Sequence, residues 1–403
     1  MRRAAGVTLL GAAMWFAAPG VQAPGGKATV EVGFGLGPLN RAEHYAAALH
    51  RVRADGFRII RVYEPFLKGD GGTVPPIVRH LKFLDSLGFT PYFDLSDFPH
   101  ALAPAAHVAA FPQGKRDAAF RFTNRYAPPP AAFDSLVGSV LAGLDQAFGR
   151  EKLRQWYIEI GNEPDAAQFF WGTPEAFTGL MDAAERRVWA FDSSLRLGGG
   201  AFTSALVSHP DQRAGYAALA RRLAASPHEF TSFHIYGGSA FHKEFAARVN
   251  ALLGPPNGRL RVISEWNVSS RPVRETQTIL DSPDAMGPYL IEMLAGAADA
   301  GVRIVLIHKL QDEPGNGELG LFDADGREKG GYRLVRMAAA FARQGFSVVR
   351  DAGSVRLEGD SLRWIEAGDA PVMLDPSDSV VAPALVAGRL APHGWALLRR
   401  KSR

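Results

Sequence analysis

Cysteine is missing altogether from the 403-residue chain, which removes disulfides, thiol nucleophiles, iron–sulfur clusters and cysteine zinc sites together. Excess charge of one sign is missing too, because 45 Lys+Arg stand against 41 Asp+Glu for a formal net charge of +4. No basic run interleaves with aromatics, so nucleic acid is not an expected partner. No His-x-x-x-His pair and no carboxylate cage occurs, so no metal or other cofactor is expected. A phosphate-binding glycine motif is absent as well. Gly33-Phe34-Gly35-Leu36-Gly37 lacks the third spacing and reads as a plain strand-end loop.

Nor does any apolar run comfortably reach the roughly 20 residues of a membrane span. The run from Ala4 to about Ala18 follows Arg2-Arg3 and precedes Val21-Gln22-Ala23, with small residues where a signal peptidase reads. Residues 1–23 are therefore expected to be an export leader, and an uncleaved anchor is the alternative. Two arginines do not establish the twin-arginine route, and the missing Cys excludes a lipoprotein anchor. The mature chain is expected in the periplasm or outside the cell, with no stable membrane span.

What is present is an ordinary globular composition, 47% hydrophobic and 21% charged, able to fill a core. Strand-like and helix-like runs alternate. Strands are expected at Val30–Phe34, Phe57–Tyr63, Thr90–Leu95, Trp156–Ile160, Arg196–Phe202, Phe230–Tyr236, Arg261–Trp266 and Val302–His308. Helices are expected between them at Arg41–Asp55, Pro75–Leu87, Phe133–Phe148, Pro174–Phe191, Gly215–Ala225, Phe241–Leu253 and Asp284–Ala300, with a last one at Gly331–Arg343. Eight such units in order predict a closed parallel (β/α)8 barrel over residues 28–343. An open doubly wound sheet is the competitor. From 345 to 403 short alternating runs (Ser347–Val349, Val355–Leu357, Leu362–Ile365, Trp395–Leu398) predict a small β-sheet appendage.

Two strands end in the same way. Trp156-Tyr157-Ile158-Glu159-Ile160 stops at Gly161-Asn162-Glu163-Pro164, and Arg261-Val262-Ile263-Ser264 runs into Glu265-Trp266-Asn267. A barrel builds its chemistry at the C-terminal ends of its strands, so Glu163 and Glu265 share one rim. Two carboxylates about 5–5.5 Å apart suit a retaining glycosidase, one as nucleophile and one as acid and then base. Either Glu alone reads as a rim ion pair; the matched pair does not.

These motifs resemble the clan of retaining (β/α)8 glycoside hydrolases, and are most similar to glycoside hydrolase family 39. The resemblance rests on Gly161-Asn162-Glu163-Pro164, Ser232-Phe233-His234-Ile235-Tyr236, Ser264-Glu265-Trp266-Asn267-Val268-Ser269, Gln311-Asp312-Glu313 and the run from Gly320 to Lys329. It covers roughly residues 30–343. It implies Glu163 as acid/base, Glu265 as nucleophile and Asn162 as holder of the substrate 2-hydroxyl, with His234 and Tyr236 on the rim and Arg61 favouring ionised Glu265. The implied partner is a carbohydrate: a poly- or oligosaccharide, an exopolysaccharide or a xylan-type glycan. Gly161 stands where family members often carry a bulky aromatic, an exchange expected to open the floor of the sugar site. Asp165 replaces a more usual Asn.

Other residues have two readings. Trp171, Phe169 and Phe170 suit either sugar stacking or loop packing, and Trp266, beside Glu265, is expected to be a sugar platform. His308, Asp312 and Glu313 are candidates for sugar hydroxyls, while Glu159 reads as a structural partner to an arginine. Asn267-Val268-Ser269 fits a glycosylation sequon but lies beside the expected nucleophile. The competing functions are a catalytically silent carbohydrate-binding barrel serving polysaccharide export or assembly, and a lyase or aldolase using Lys309. Sugar, linkage and oligomeric state are not encoded legibly.

Overall fold

A computed structural model describes residues 26–36, 44–62, 74–96, 98–99, 102–110, 126–226, 229–237, 239–313, 318–351, 354–367, 372–373, 379–382, 389–390 and 394–399. The expected leader, residues 1–23, lies outside them. Among the described residues no helix is long and apolar enough to cross a membrane.

Eight parallel strands close into a barrel in chain order. They are β1 (Glu31–Gly35), β2 (Ile59–Val62), β3 (Thr90–Leu95), β4 (Tyr157–Ile160), β5 (Arg196–Phe202), β6 (Glu229–Tyr236), β7 (Arg261–Asn267) and β8 (Val302–Ile307). The ring closes where β1 pairs with β8, Glu31 opposite Ile304 and Phe34 opposite Ile307. The open-sheet alternative is thereby excluded. Long helices follow the strands, including Pro130–Phe148, Pro174–Phe191, Ser239–Leu253, Pro283–Asp299 and Gly330–Gln344. The helix Pro174–Phe191 starts with Pro at its first turn and with Thr173 accepting a hydrogen bond from the Ala176 amide, two devices that satisfy a helix start.

Alternation of side chains splits the core in two. Outward residues such as Phe34, Phe93, Ile158, Phe233 and Trp266 pack against the helices. Inward residues Ile59, Tyr92, Phe230, Val262, Ile304 and Leu306 plug the barrel from below. Strand β5 contributes no inward bulk, since a Cβ on Gly198 would lie 2.4 Å from the Phe230 ring. Above this apolar plug the inward side chains turn polar: Arg61, Asp94, Glu159, Ser232 and His234 are all buried. The site stands on that layer.

The C-terminal region holds β9 (Ser347–Asp351), β10 (Ser354–Glu358), β11 (Leu362–Ala367), β12 (Val372–Met373), β13 (Ser379–Ala382), β14 (Arg389–Leu390) and β15 (Trp395–Arg399). They form an antiparallel sheet in the order β13-β15-β11-β10-β9 and a separate β12-β14 pair. The sheet docks through Trp395, whose indole covers Gly287 and donates to the Asp284 carbonyl at 2.8 Å.

Candidate active site

Strand β2 places Arg61 at the centre of the polar layer, fully buried. Its Nε donates to Glu159 at 2.8 Å, Nη1 to Glu265 at 2.5 Å, and Nη2 to Asp94 at 2.8 Å and to the Asn162 side-chain oxygen at 3.1 Å. One guanidinium thus ties β2 to the ends of β3, β4 and β7. A planar fork with five donors suits this bridging, and a lysine would not. Tyr92 donates a further 2.9 Å hydrogen bond to Glu159. The arginine expected for Glu159 is this one.

Strand β4 ends at Ile160, and two residues of positive φ then re-aim the chain: Gly161 at 87° and Glu163 at 51°. A non-glycine residue held there costs about 1–3 kcal/mol and persists only where its surroundings enforce it. Here the Glu163 amide donates to the Ala201 carbonyl at 3.2 Å. Asp165 fastens the same segment to the end of β5, accepting 2.9 Å and 2.5 Å hydrogen bonds from the Thr203 amide and hydroxyl.

Gly161 does not open a floor. A Cβ there would lie 2.5 Å from the Phe177 ring, so the bulk missing from position 161 is supplied by the helix Pro174–Phe191. The cavity left beneath it is only about 10 Å³, bounded by Ser96, Phe98, Asn162, Pro164, Phe169 and Phe170 among others, room for one water at most.

Strand β7 carries a register shift. Phe233 pairs with Ile263 and His234 with Glu265, so Ser264 is an extra residue. Such a bulge re-aims the next side chain, and it sets Glu265 beside His234. Tyr236 donates its phenol to Glu265 Oε2, on the oxygen opposite the one Arg61 holds. The His234 Nδ1 lies 2.8 Å from Glu163 and 3.3 Å from Glu265. Donor atoms of Glu163, His234 and Glu265 all lie within 4.8 Å of one another. These three are the metal-like cluster among the described residues, but Arg61 already supplies a buried cation to Glu265.

The two carboxyls are driven apart electrostatically. Burial pushes Glu163 up, and the nearby charges of Glu265 and Asp165 add to this against the opposing pull of His234. Burial also opposes ionisation of Glu265, but His234, His308, Arg61 and the Tyr236 hydrogen bond outweigh it and hold its pKa well below the usual carboxylate range. His308, 3.7 Å from Glu265, is itself lowered by burial to about 4, so at neutral pH it adds no charge. His234 is raised: burial works against its charged form and the two carboxylates prevail. One carboxyl biased toward its protonated form beside one held ionised is the arrangement that separates acid from nucleophile.

The structure therefore gathers Glu163, Glu265, Asn162, His234, Tyr236 and Arg61. It does not gather Trp266, and that platform is a correction. Because Glu265 faces inward, Trp266 faces outward, 0% exposed, donating its indole N–H to His242 on the helix Ser239–Leu253 at 3.0 Å. Trp171, on the loop after β4, bridges through its backbone to Tyr126 on the connection from β3 to β4. Asp312 is engaged by Lys329 at 2.7 Å and by the Gly320 amide, and Glu313 by Lys309 and Tyr45. Asn267 is fully buried and donates to the His308 and Leu319 carbonyls, which leaves its sequon inaccessible in the folded chain. Two residues escaped sequence reading, Asp94 and Tyr92. The one local signal was an acid next to the end of a strand, Asp94 in β3; its place opposite Glu159 comes from pairing register.

Comparison with known proteins agrees with this geometry. Residues 75–247 match the family described as "Glycosyl hydrolases family 39". A β-xylosidase of Caldicellulosiruptor saccharolyticus is 30% identical over 124 residues, 30% of this chain. The match spans only 23% of that enzyme's length. Among solved structures, a monomeric β-xylosidase from Caulobacter crescentus superposes with a TM-score of 0.61 at 18% identity, covering 88% of this chain and 80% of its own. A family 39 enzyme from Xanthomonas axonopodis pv. citri gives 0.62 at 20% identity, covering 88% and 74%. At such identities these two structures speak for the fold.

Proposed function

For a (β/α)8 glycoside hydrolase similar to family 39, we propose hydrolysis of O-glycosidic bonds by double displacement, with Glu265 as nucleophile and Glu163 as acid and then base. The observation that carries the reading is the pair itself. An oxygen of Glu163 and an oxygen of Glu265 lie within 4.8 Å, an approach that fits the roughly 5–5.5 Å separation of the carboxyl groups in retaining enzymes. The opposite pKa displacements of the two carboxyls support it further.

Step one has the ionised Glu265 attack the anomeric carbon while Glu163 gives its proton to the departing oxygen. The developing positive charge on the sugar falls beside Glu265, which Arg61 and Tyr236 hold in place. Asn162, its side-chain oxygen anchored by Arg61, has its amide N–H groups left for the substrate 2-hydroxyl. In step two Glu163, now ionised and 2.8 Å from His234, takes a proton from water, and that water releases the sugar from Glu265. The substrate class to try first is the β-xyloside named for the relatives, followed by exopolysaccharide, which an exported chain would meet in or beyond the periplasm.

A silent sugar-binding barrel is not favoured, since both carboxyls are present and oppositely tuned. In an aryl glycoside panel, Glu163→Ala and Glu265→Ala should each lose turnover by at least a hundredfold on substrates with poor leaving groups. Azide should restore each variant and give glycosyl azides of opposite anomeric configuration. Wild-type turnover in both variants would sink the mechanism.

A further inference from the structure

Strand β8 ends at Ile307, and the next residue is locked in place by β7. The His308 amide donates to the Trp266 carbonyl at 2.9 Å, and the His308 carbonyl accepts from the Asn267 side chain. Its ring stands beside the proposed nucleophile, with Nδ1 3.7 Å from Glu265 Oε2. The Tyr236 ring of β6 meets the imidazole edge to face, centroids 6.0 Å apart at 85°. On the other flank Gly35 ends β1, where a Cβ would already touch Nδ1 at 3.7 Å. The imidazole thus fills the space between Tyr236 and the β1 backbone. With 17% of its side chain exposed, it still reaches the mouth of the barrel. The mechanism above gives it no contact with the sugar.

Barrel order fixes which part of a sugar faces this ring. Asn162 follows β4 and His308 follows β8, four strands apart in a ring of eight and so on opposite sides of the mouth. Glu265 lies between them. Arg61, which also anchors Asn162, holds its Oε1, while Tyr236 and His308 face its Oε2. In a pyranose, C5 stands across the ring from C2. With the 2-hydroxyl on Asn162, the C5 edge points toward β8. Attack needs the anomeric carbon about 3–3.5 Å from a Glu265 oxygen. An imidazole 3.7 Å from Oε2 is then in van der Waals reach of the ring oxygen and C5.

We infer that His308 sets specificity at C5: its imidazole closes that edge of the sugar site, admitting a pentopyranoside, whose C5 bears only hydrogen, and rejecting a sugar substituted there. The inference rests on the double-displacement reading, with Asn162 at the 2-hydroxyl. A hydroxymethyl group on C5 would have to displace a ring that Tyr236 and the β1 backbone hold from two sides. A carboxylate on C5 would meet the same ring and gain no charge from it, since burial lowers His308 to about 4. Lys309, the next residue, is drawn instead to Glu313 at 3.3 Å with its side chain 2% exposed.

The 4-nitrophenyl β-D-xyloside, β-D-glucoside and β-D-glucuronide test this, because they differ only in carrying hydrogen, hydroxymethyl or carboxylate at C5. The parent chain should favour the xyloside over each of the others at least tenfold in kcat/KM, since one methylene in a fitted pocket is worth about 10–200-fold. His308→Ala should lower the xyloside-to-glucoside ratio about tenfold, chiefly through a lower KM for the glucoside. His308→Phe keeps a ring in place and should keep the preference. A parent preference for the glucoside or glucuronide would overturn the assignment. Equal losses on all three substrates in His308→Ala would overturn it too, because His308 would then serve Glu265 alone. Calorimetry adds a readout that needs no turnover. 1,5-Dideoxy-1,5-iminoxylitol lacks only the hydroxymethyl group of 1-deoxynojirimycin, and it should bind the parent chain about tenfold tighter, a gap that His308→Ala closes. Equal affinities in the parent chain, binding of neither, or a gap that survives His308→Ala each count against the assignment. Failure of the underlying mechanism shows elsewhere, as retained turnover in Glu163→Ala and Glu265→Ala, so the two failures are separable.

Discussion

Glu163 and Glu265 are the same residue type at the same rim of one barrel, and what separates them is the set of groups each one faces. Glu265 meets Arg61 and the Tyr236 phenol; Glu163 meets burial and other carboxylates, with the His234 ring nitrogen 2.8 Å away. The pH profile of kcat/KM should report this. In the proposed double displacement Glu265 must be ionised, so the acidic limb follows a pKa held low, and Glu163 must be protonated, so the basic limb follows a pKa raised by burial. Removing the phenol with Tyr236→Phe takes away a hydrogen bond that favours the charged Glu265. Its pKa then rises, and the acidic limb moves to higher pH while the basic limb stays. Turnover at the optimum should fall roughly ten- to a hundredfold, the range for losing a hydrogen bond to a charged group. A profile that moves at its basic limb instead would mean that Tyr236 serves Glu163.

At the scale of elements, strand ends β2, β3, β4 and β7 converge on one side chain, Arg61. Replacing it with Met would leave Asp94 and Glu159 buried without their cation. Breaking a buried pair in this way costs about 3–5 kcal/mol, so urea unfolding of Arg61→Met should shift by an amount of that order. A loss below about 1 kcal/mol would show that the layer does not depend on Arg61. Alternation along strands made the barrel and both carboxyls legible in the sequence, since period-two patterning and the strand-ending motifs at Gly161 and Ser264 are local signals. Trp266 shows where local reading stops. Its neighbour Glu265 was placed correctly at the rim, but the platform needed both residues to face the sugar, and adjacent strand residues face opposite ways. The floor at Gly161 was misread for a different reason. Phe177 fills it from the next helix, Pro174–Phe191, and no pattern at Gly161 itself announces that. The bulge at Ser264 and the encirclement of Arg61 are likewise products of pairing register, which one sequence does not display.

At the scale of the whole molecule, barrel and C-terminal sheet meet around two acids. Glu366 of β11 and the fully buried Glu292 of the helix Pro283–Asp299 share Lys243, at 3.6 Å and 3.5 Å, and Arg350 of β9 stands 3.7 Å from Glu292. Burial first, then repulsion by Glu292, pushes Glu366 up to about 7 despite Lys243. An unfolded glutamate titrates near 4.3, so across the interval between these values the folded chain binds the proton more tightly than the unfolded one. Stability from this group is therefore complete below about pH 4 and is lost as pH rises through about 7. The whole effect is bounded by about 4 kcal/mol. Glu366→Gln keeps the shape and removes the titration. Its unfolding free energy should match that of the parent chain at pH 5 to within about 1 kcal/mol and exceed it at pH 8 by about 1–3 kcal/mol, because the parent must then bury an ionised Glu366 beside Glu292. Equal pH dependence in the two chains would show that the seam between barrel and sheet does not titrate.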